Sequence, residues 1–95
     1  MMNPSPPHLF IDLRAAALRA VEPLSSLISN PHRVLSLAQI EEGQHGLTSA
    51  DGPVVVICER GIRSSLAVRF LRSDGVDAQA YEGGVLAMKQ ALSAR

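Results

Sequence analysis

The sequence predicts an α/β domain: a small parallel sheet of four to five strands flanked by helices on both faces. Three observations carry that expectation. Val54-Val55-Val56-Ile57 is a continuous apolar run without alternation, bounded by Gly52-Pro53 and Gly61. Such a run reads as a strand covered on both faces, the usual state of a central parallel strand. Strand-like and helix-like stretches then alternate along the whole chain, which favours parallel strands joined by helical crossovers. Finally, 95 residues with 46% hydrophobic and 19% charged residues form one ordinary globular core. A chain this size buries roughly 60–65% of its unfolded surface without staples.

Residues 1–8 are rich in proline and read as a flexible N-terminal tail, leaving 9–95 as a single domain. Leu9-Phe10-Ile11, ending at Asp12, is the first strand. Arg14 to Val21 is built of strong helix formers. Pro23 does not fit inside that helix and starts a second short turn, Leu24 to Ile28. Arg33 to Leu37 alternates apolar and polar residues and reads as the second strand. A short helix follows within Leu37–Leu47, limited by Gly43 and Gly46. Thr48 to Pro53 is a turn into the central strand. Beyond Ser64, the residues Leu66, Ala67, Phe70 and Leu71 recur at helical spacing, and Gly75 is the expected C-terminal cap. Val76 to Tyr81 is the last strand, Glu82-Gly83-Gly84 a sharp turn, and Val85 to Ala94 the closing helix.

Composition excludes several functions. Net charge is zero, so neither a nucleic-acid footprint nor a membrane-surface patch is expected. No stretch approaches a membrane span, and the N-terminus lacks the form of a signal peptide. The single cysteine excludes an intrachain disulfide and suits a reducing compartment, so a cytoplasmic location is expected. His8, His32 and His45 are scattered, and no metal or cofactor is expected.

The chemistry concentrates at Cys58-Glu59-Arg60-Gly61-Ile62-Arg63-Ser64. Cys58 lies at the carboxyl end of the central strand, the edge where open α/β sheets bind ligands. A helix N-terminus and nearby arginines favour the thiolate, which is the reactive form. The loop amides can curl into an anion-binding nest, with Gly61 supplying the backbone freedom and Ser64 or Ser65 capping the helix. The expected result is an electropositive cradle with a sulfur nucleophile at its floor. A lone cysteine at a strand end is most often a small buried hydrophobe; the corner setting with Gly61, Arg60 and Arg63 favours the reactive reading.

These residues resemble a known family. Cys-Glu-Arg-Gly-Ile-Arg-Ser is similar to the active-site loop of rhodanese-type sulfurtransferases. Phe10-Ile11-Asp12-Leu13-Arg14 resembles the family's opening Ile-Asp-Val-Arg. Leu66 to Gly75 resembles the helix after its loop, and Tyr81-Glu82-Gly83-Gly84 its Gly-Gly turn. The stretch Asn30–Val34 departs from the usual Gly-His-Ile-x-Gly-Ala, and Met88 stands where the family carries an aromatic residue. The loop is Cys-x4-Arg, one residue shorter than in related phosphatases. The resemblance therefore implies sulfur transfer ahead of a thiol phosphatase or arsenate reductase. A non-catalytic rhodanese-like binding module is the alternative, and the intact Cys58 argues against it.

The resemblance implies a double displacement through a Cys58 persulfide. The partners would be a small anionic donor such as thiosulfate and a thiol or protein acceptor. Arg60 would attract the donor, Arg63 would brace the loop, and Asp12 would support the loop by pairing with Arg63. Glu59 sits awkwardly beside an anion and hints at a persulfide or protein donor.

Overall fold

The sheet is built outward from the run the sequence singles out. In the computed structural model, which describes residues 8–93, that run is a strand, Val54–Ile57 (β3), buried at every position. The tail expected over residues 1–8 lies, apart from His8, outside the described residues. Before β3 come β1 (Leu9–Asp12), α1 (Ala16–Val21), a 3-10 turn at Leu24–Ser26, β2 (His32–Val34), α2 (Leu37–Glu41) and a second 3-10 turn at Ser49–Asp51. After it come α3 (Ile62–Ser73), β4 (Ala78–Ala80) and α4 (Gly84–Ser93). The four strands lie in the order β2-β1-β3-β4, and every pair is parallel.

Side-chain alternation along β1 and β3 divides the core into two layers. Ile11, Val54 and Val56 pack with Ile40 of α2 and Ala67, Val68 and Leu71 of α3. Phe10, Val55 and Ile57 pack on the opposite face with Leu24 and with Val85 and Met88 of α4. Each fully buried Val or Ile of β3 contributes about 1.5–3 kcal/mol. Met88, 3% exposed, fills the second layer beside Val85.

Several boundaries differ from the sequence expectation for local reasons. The second strand covers His32–Val34 rather than Arg33–Leu37, because Ser36 starts a helix. Its hydroxyl accepts from Gln39 N at 3.0 Å, and Gln39 Oε1 accepts from Ser36 N at 2.8 Å. This is a capping box. Helix α3 begins at Ile62, two residues before Ser64. Gly61 is its N-cap, with φ +95°, and neither Ser64 nor Ser65 caps it. Both serine hydroxyls instead lie within hydrogen-bond distance of Gly61 O, at 3.1 and 3.0 Å, and the single Ser64 proton can turn to Cys58 Sγ when that sulfur is a thiolate. Gly75, at φ +85°, ends the helix as expected. Buried His45 has a structural place: Nδ1 accepts from Leu47 N, and Nε2 lies 2.9 Å from Asp74 Oδ2 at the end of α3.

The expected pairing of Asp12 with Arg63 does not form. The Asp12 carboxylate is taken by Arg14, two residues on, which donates from Nε and Nη2 and from its own backbone N–H. Both side chains are 1% exposed. The same bonds explain why α1 starts at Ala16 rather than Arg14: the Arg14 amide is drawn towards the carboxylate.

The Gly83-Gly84 turn has a tertiary role beyond reversing the chain. Val85 N donates to Cys58 O at 2.8 Å, and Leu86 N donates to Glu59 O at 3.2 Å. Gly84 is therefore pressed against the backbone just after β3. A Cβ there would lie 2.5 Å from both Cys58 O and Glu59 O, at a φ of +68°. Gly61 is similarly close, its Cβ position being 3.0 Å from Gly83 N.

Two substitutions test these constraints by urea unfolding. Gly84→Ala combines left-handed backbone strain with overpacking and should lose about 3 kcal/mol or more; an unchanged midpoint would refute the close approach. Asp12→Asn strips the buried Arg14 guanidinium of its counter-charge and should cost about 3–5 kcal/mol. A loss below about 1 kcal/mol would show that the pair is solvated.

Candidate active site

Register places the cysteine. Asp12 pairs with Ile57 across β1 and β3, and Leu13 N donates to Ile57 O at 2.9 Å. Cys58 is thus the first residue beyond the ladder, at the carboxyl edge of the sheet. There the chain turns through Glu59, Arg60 and Gly61 into α3. The left-handed Gly61 bends the backbone so that the first amides of the helix face back towards the sulfur.

Cys58 Sγ accepts from Gly61 N at 3.0 Å, and the backbone amides of Arg63 and Ser64 also donate to it. Ser64 Oγ lies 3.6 Å from the sulfur and is itself fully buried. The sulfur therefore occupies the place of an N-cap acceptor for α3. Burial pushes the thiol pKa up, but the hydrogen bonds from the Ser64 side chain and from the Ser64, Gly61 and Arg63 amides outweigh it, leaving the pKa lowered. The expected nest is present, with one change of emphasis. Main-chain amides and a hydroxyl favour the thiolate, not the guanidinium groups. The side chains of Arg60 and Arg63 are exposed and form no ion pair among the described residues.

Cys58, only 4% exposed, is at the floor of a cleft of about 310 Å³. The loop residues Glu59, Arg60, Ile62 and Arg63 line this cleft together with Leu13, Arg14, Ala15 and Leu18. Asp12 is not in the cleft and reaches it only by orienting Arg14. Sequence reasoning gave Arg14 and Leu18 no part in the site and read Gly84 only as part of a turn. The Asp12-x-Arg14 spacing after a strand was a readable signal for the first. Nothing local marked the other two, since both act through residues distant in the chain. Among the described residues, no three His, Cys, Asp or Glu side chains are grouped to hold a metal ion, and no helix is long and apolar enough to cross a membrane.

Solved structures share this architecture. A rhodanese homologue from the extremely thermophilic bacterium Thermus thermophilus is 30% identical, with a TM-score of 0.63, covering 81% of this chain and 78% of that one. A rhodanese-related protein from Thermoplasma volcanium is 26% identical, with a TM-score of 0.59, over 86% of this chain and 78% of that one. A rhodanese-like domain protein from Staphylococcus aureus, 24% identical with a TM-score of 0.69 over 88% and 76% of the two chains, shares the fold. No protein-family model and no curated protein matches the sequence. The thermophile's identity extends over most of both chains, and a shared fold accompanies it; the protein belongs to the rhodanese-like family.

Proposed function

We propose that the protein is a sulfurtransferase that carries a sulfane sulfur on Cys58. The observation that supports this most directly is the sulfur's place at the N-terminus of α3, where it accepts from Gly61 N at 3.0 Å. Donors preset around a thiolate also suit the terminal sulfur of a persulfide, which is anionic as well.

In the first half-reaction the Cys58 thiolate attacks the outer sulfur of the donor, thiosulfate or a persulfide. The donor's S–S bond breaks as the new one forms, and with thiosulfate the leaving group is sulfite. Charge is conserved: the thiolate becomes a persulfide anion and the dianion leaves a dianion. In the second half-reaction a thiophilic acceptor attacks the outer sulfur and restores the thiolate. That acceptor is a thiol or protein in the cell and cyanide in an assay. One transfer is thus divided into two covalent steps. The cytoplasm suits this chemistry, since a reducing compartment keeps Cys58 free to cycle. The intact cysteine and its lowered pKa favour this reading over a non-catalytic module.

The protein incubated with thiosulfate or a persulfide donor should gain one sulfur atom by intact mass, lose it to cyanide, and gain none as Cys58→Ser. Failure to gain sulfur from any donor would overturn the proposal. The loading rate should follow the thiolate: falling as pH drops through the lowered pKa, and level above it at a pH where free cysteine is still mostly protonated. Ser64→Ala removes one donor to the sulfur, so its acid limb should move to higher pH. Loading on that limb should slow by about three- to tenfold. An unmoved limb would show that Ser64 does not stabilise the thiolate.

A further inference from the structure

We infer that the preferred sulfur donor is a small organic persulfide with an aliphatic stem and a carboxylate, rather than thiosulfate. The inference rests on the sulfur-carrier reading of Cys58 and concerns the cleft above it. Ile62 is 79% exposed and Leu18 41% exposed, on two different helices, yet both line the cavity that ends at Cys58. Single exposed apolar residues are commonplace. Two from separate elements converging on a nucleophile form an apolar wall, to which buried Leu13 adds.

That wall suits carbon, which a compact dianion lacks, while Arg60 and Arg63 on the same cleft meet an anionic group. The cleft of about 310 Å³ is at the lower end of small-molecule sites. It holds roughly ten waters' volume, more than the five heavy atoms of thiosulfate occupy. An adjoining cleft of about 390 Å³ shares Leu13, Arg14, Ala15 and Arg63 with it and adds Arg19. Arg63 lines both and forms no ion pair among the described residues, so a carboxylate a few bonds from the reacting sulfur has a partner there. Glu59, beside the nucleophile, opposes concentrated negative charge at that point but not an organic stem.

The step balances without an external oxidant. The Cys58 thiolate attacks the outer sulfur of R–S–SH, the donor's S–S bond breaks and R–S⁻ leaves. The proton on the transferred sulfur then passes to the departing thiolate, giving R–SH and the Cys58 persulfide anion.

Loading rates, read by intact mass, decide the matter. The donors are N-acetylcysteine persulfide, its methyl ester, thiosulfate and persulfidated serum albumin, each rate divided by that of the same donor with free cysteine. On that scale N-acetylcysteine persulfide should exceed thiosulfate by about tenfold or more, and the ester should be several-fold slower than the acid. In Leu18→Ser with Ile62→Ser, the ratio of organic persulfide to thiosulfate should fall by about tenfold. Thiosulfate loading in that variant reports whether the loop is intact. Equal or faster loading from thiosulfate, a ratio that survives the double substitution, or faster loading from albumin would overturn the inference while leaving the carrier role standing. No loading from any donor would overturn both.

Discussion

The backbone of Cys58 and Glu59 is gripped from two sides by helix N-termini, and the rest of the site depends on that grip. The first amides of α3 point at the cysteine sulfur, while amides at the start of α4 take the carbonyls of Cys58 and Glu59. Both sets of groups are the unsatisfied donors that every helix carries at its start. Here they are spent on one dipeptide. The arrangement leaves no room between the loop and α4, which is why Gly61, Gly83 and Gly84 meet there. It also needs the sheet order, since α4 reaches the loop only because β4 lies beside β3.

Much of this was legible in the sequence because it is locally encoded. An unalternating Val-Val-Val-Ile run can be little but a doubly covered strand, and a cysteine at its end before a glycine-containing turn must face the sheet edge. What escaped reading was settled by competition or by distance. Asp12 found Arg14 rather than Arg63 because a partner two residues away costs little chain entropy to fix. Ser36 was read within a strand because the alternation of Arg33–Leu37 hid the Ser-x-x-Gln capping box. The glycine pair was read as a turn, which it is. Its pressure on the loop joins residues far apart in the chain, and no local pattern reports that.

Using amides rather than side chains around the sulfur has a chemical consequence. Main-chain donors are fixed by the fold and need no reorganisation as negative charge develops at the sulfur. The exposed guanidinium groups of Arg60 and Arg63 are not drawn into this task, so they remain available to whatever enters the cleft. Buried Arg14 differs: its charge is committed to Asp12, and it presents a wall rather than a mobile cation.

The all-parallel sheet also dictates when the loop is completed. Leu9 pairs with Val54, so even the first two neighbours of the centre must close a long stretch of chain. Pairings of that separation form late, after loop-closure entropy has been overcome. The carbonyls of Cys58 and Glu59 gain their donors only when α4 docks. Until then only the amides of α3 hold the turn that follows β3. The turn that presents Cys58 is thus completed by tertiary docking and not by its own segment, so an isolated peptide of the loop and α3 lacks half of the contacts that shape it.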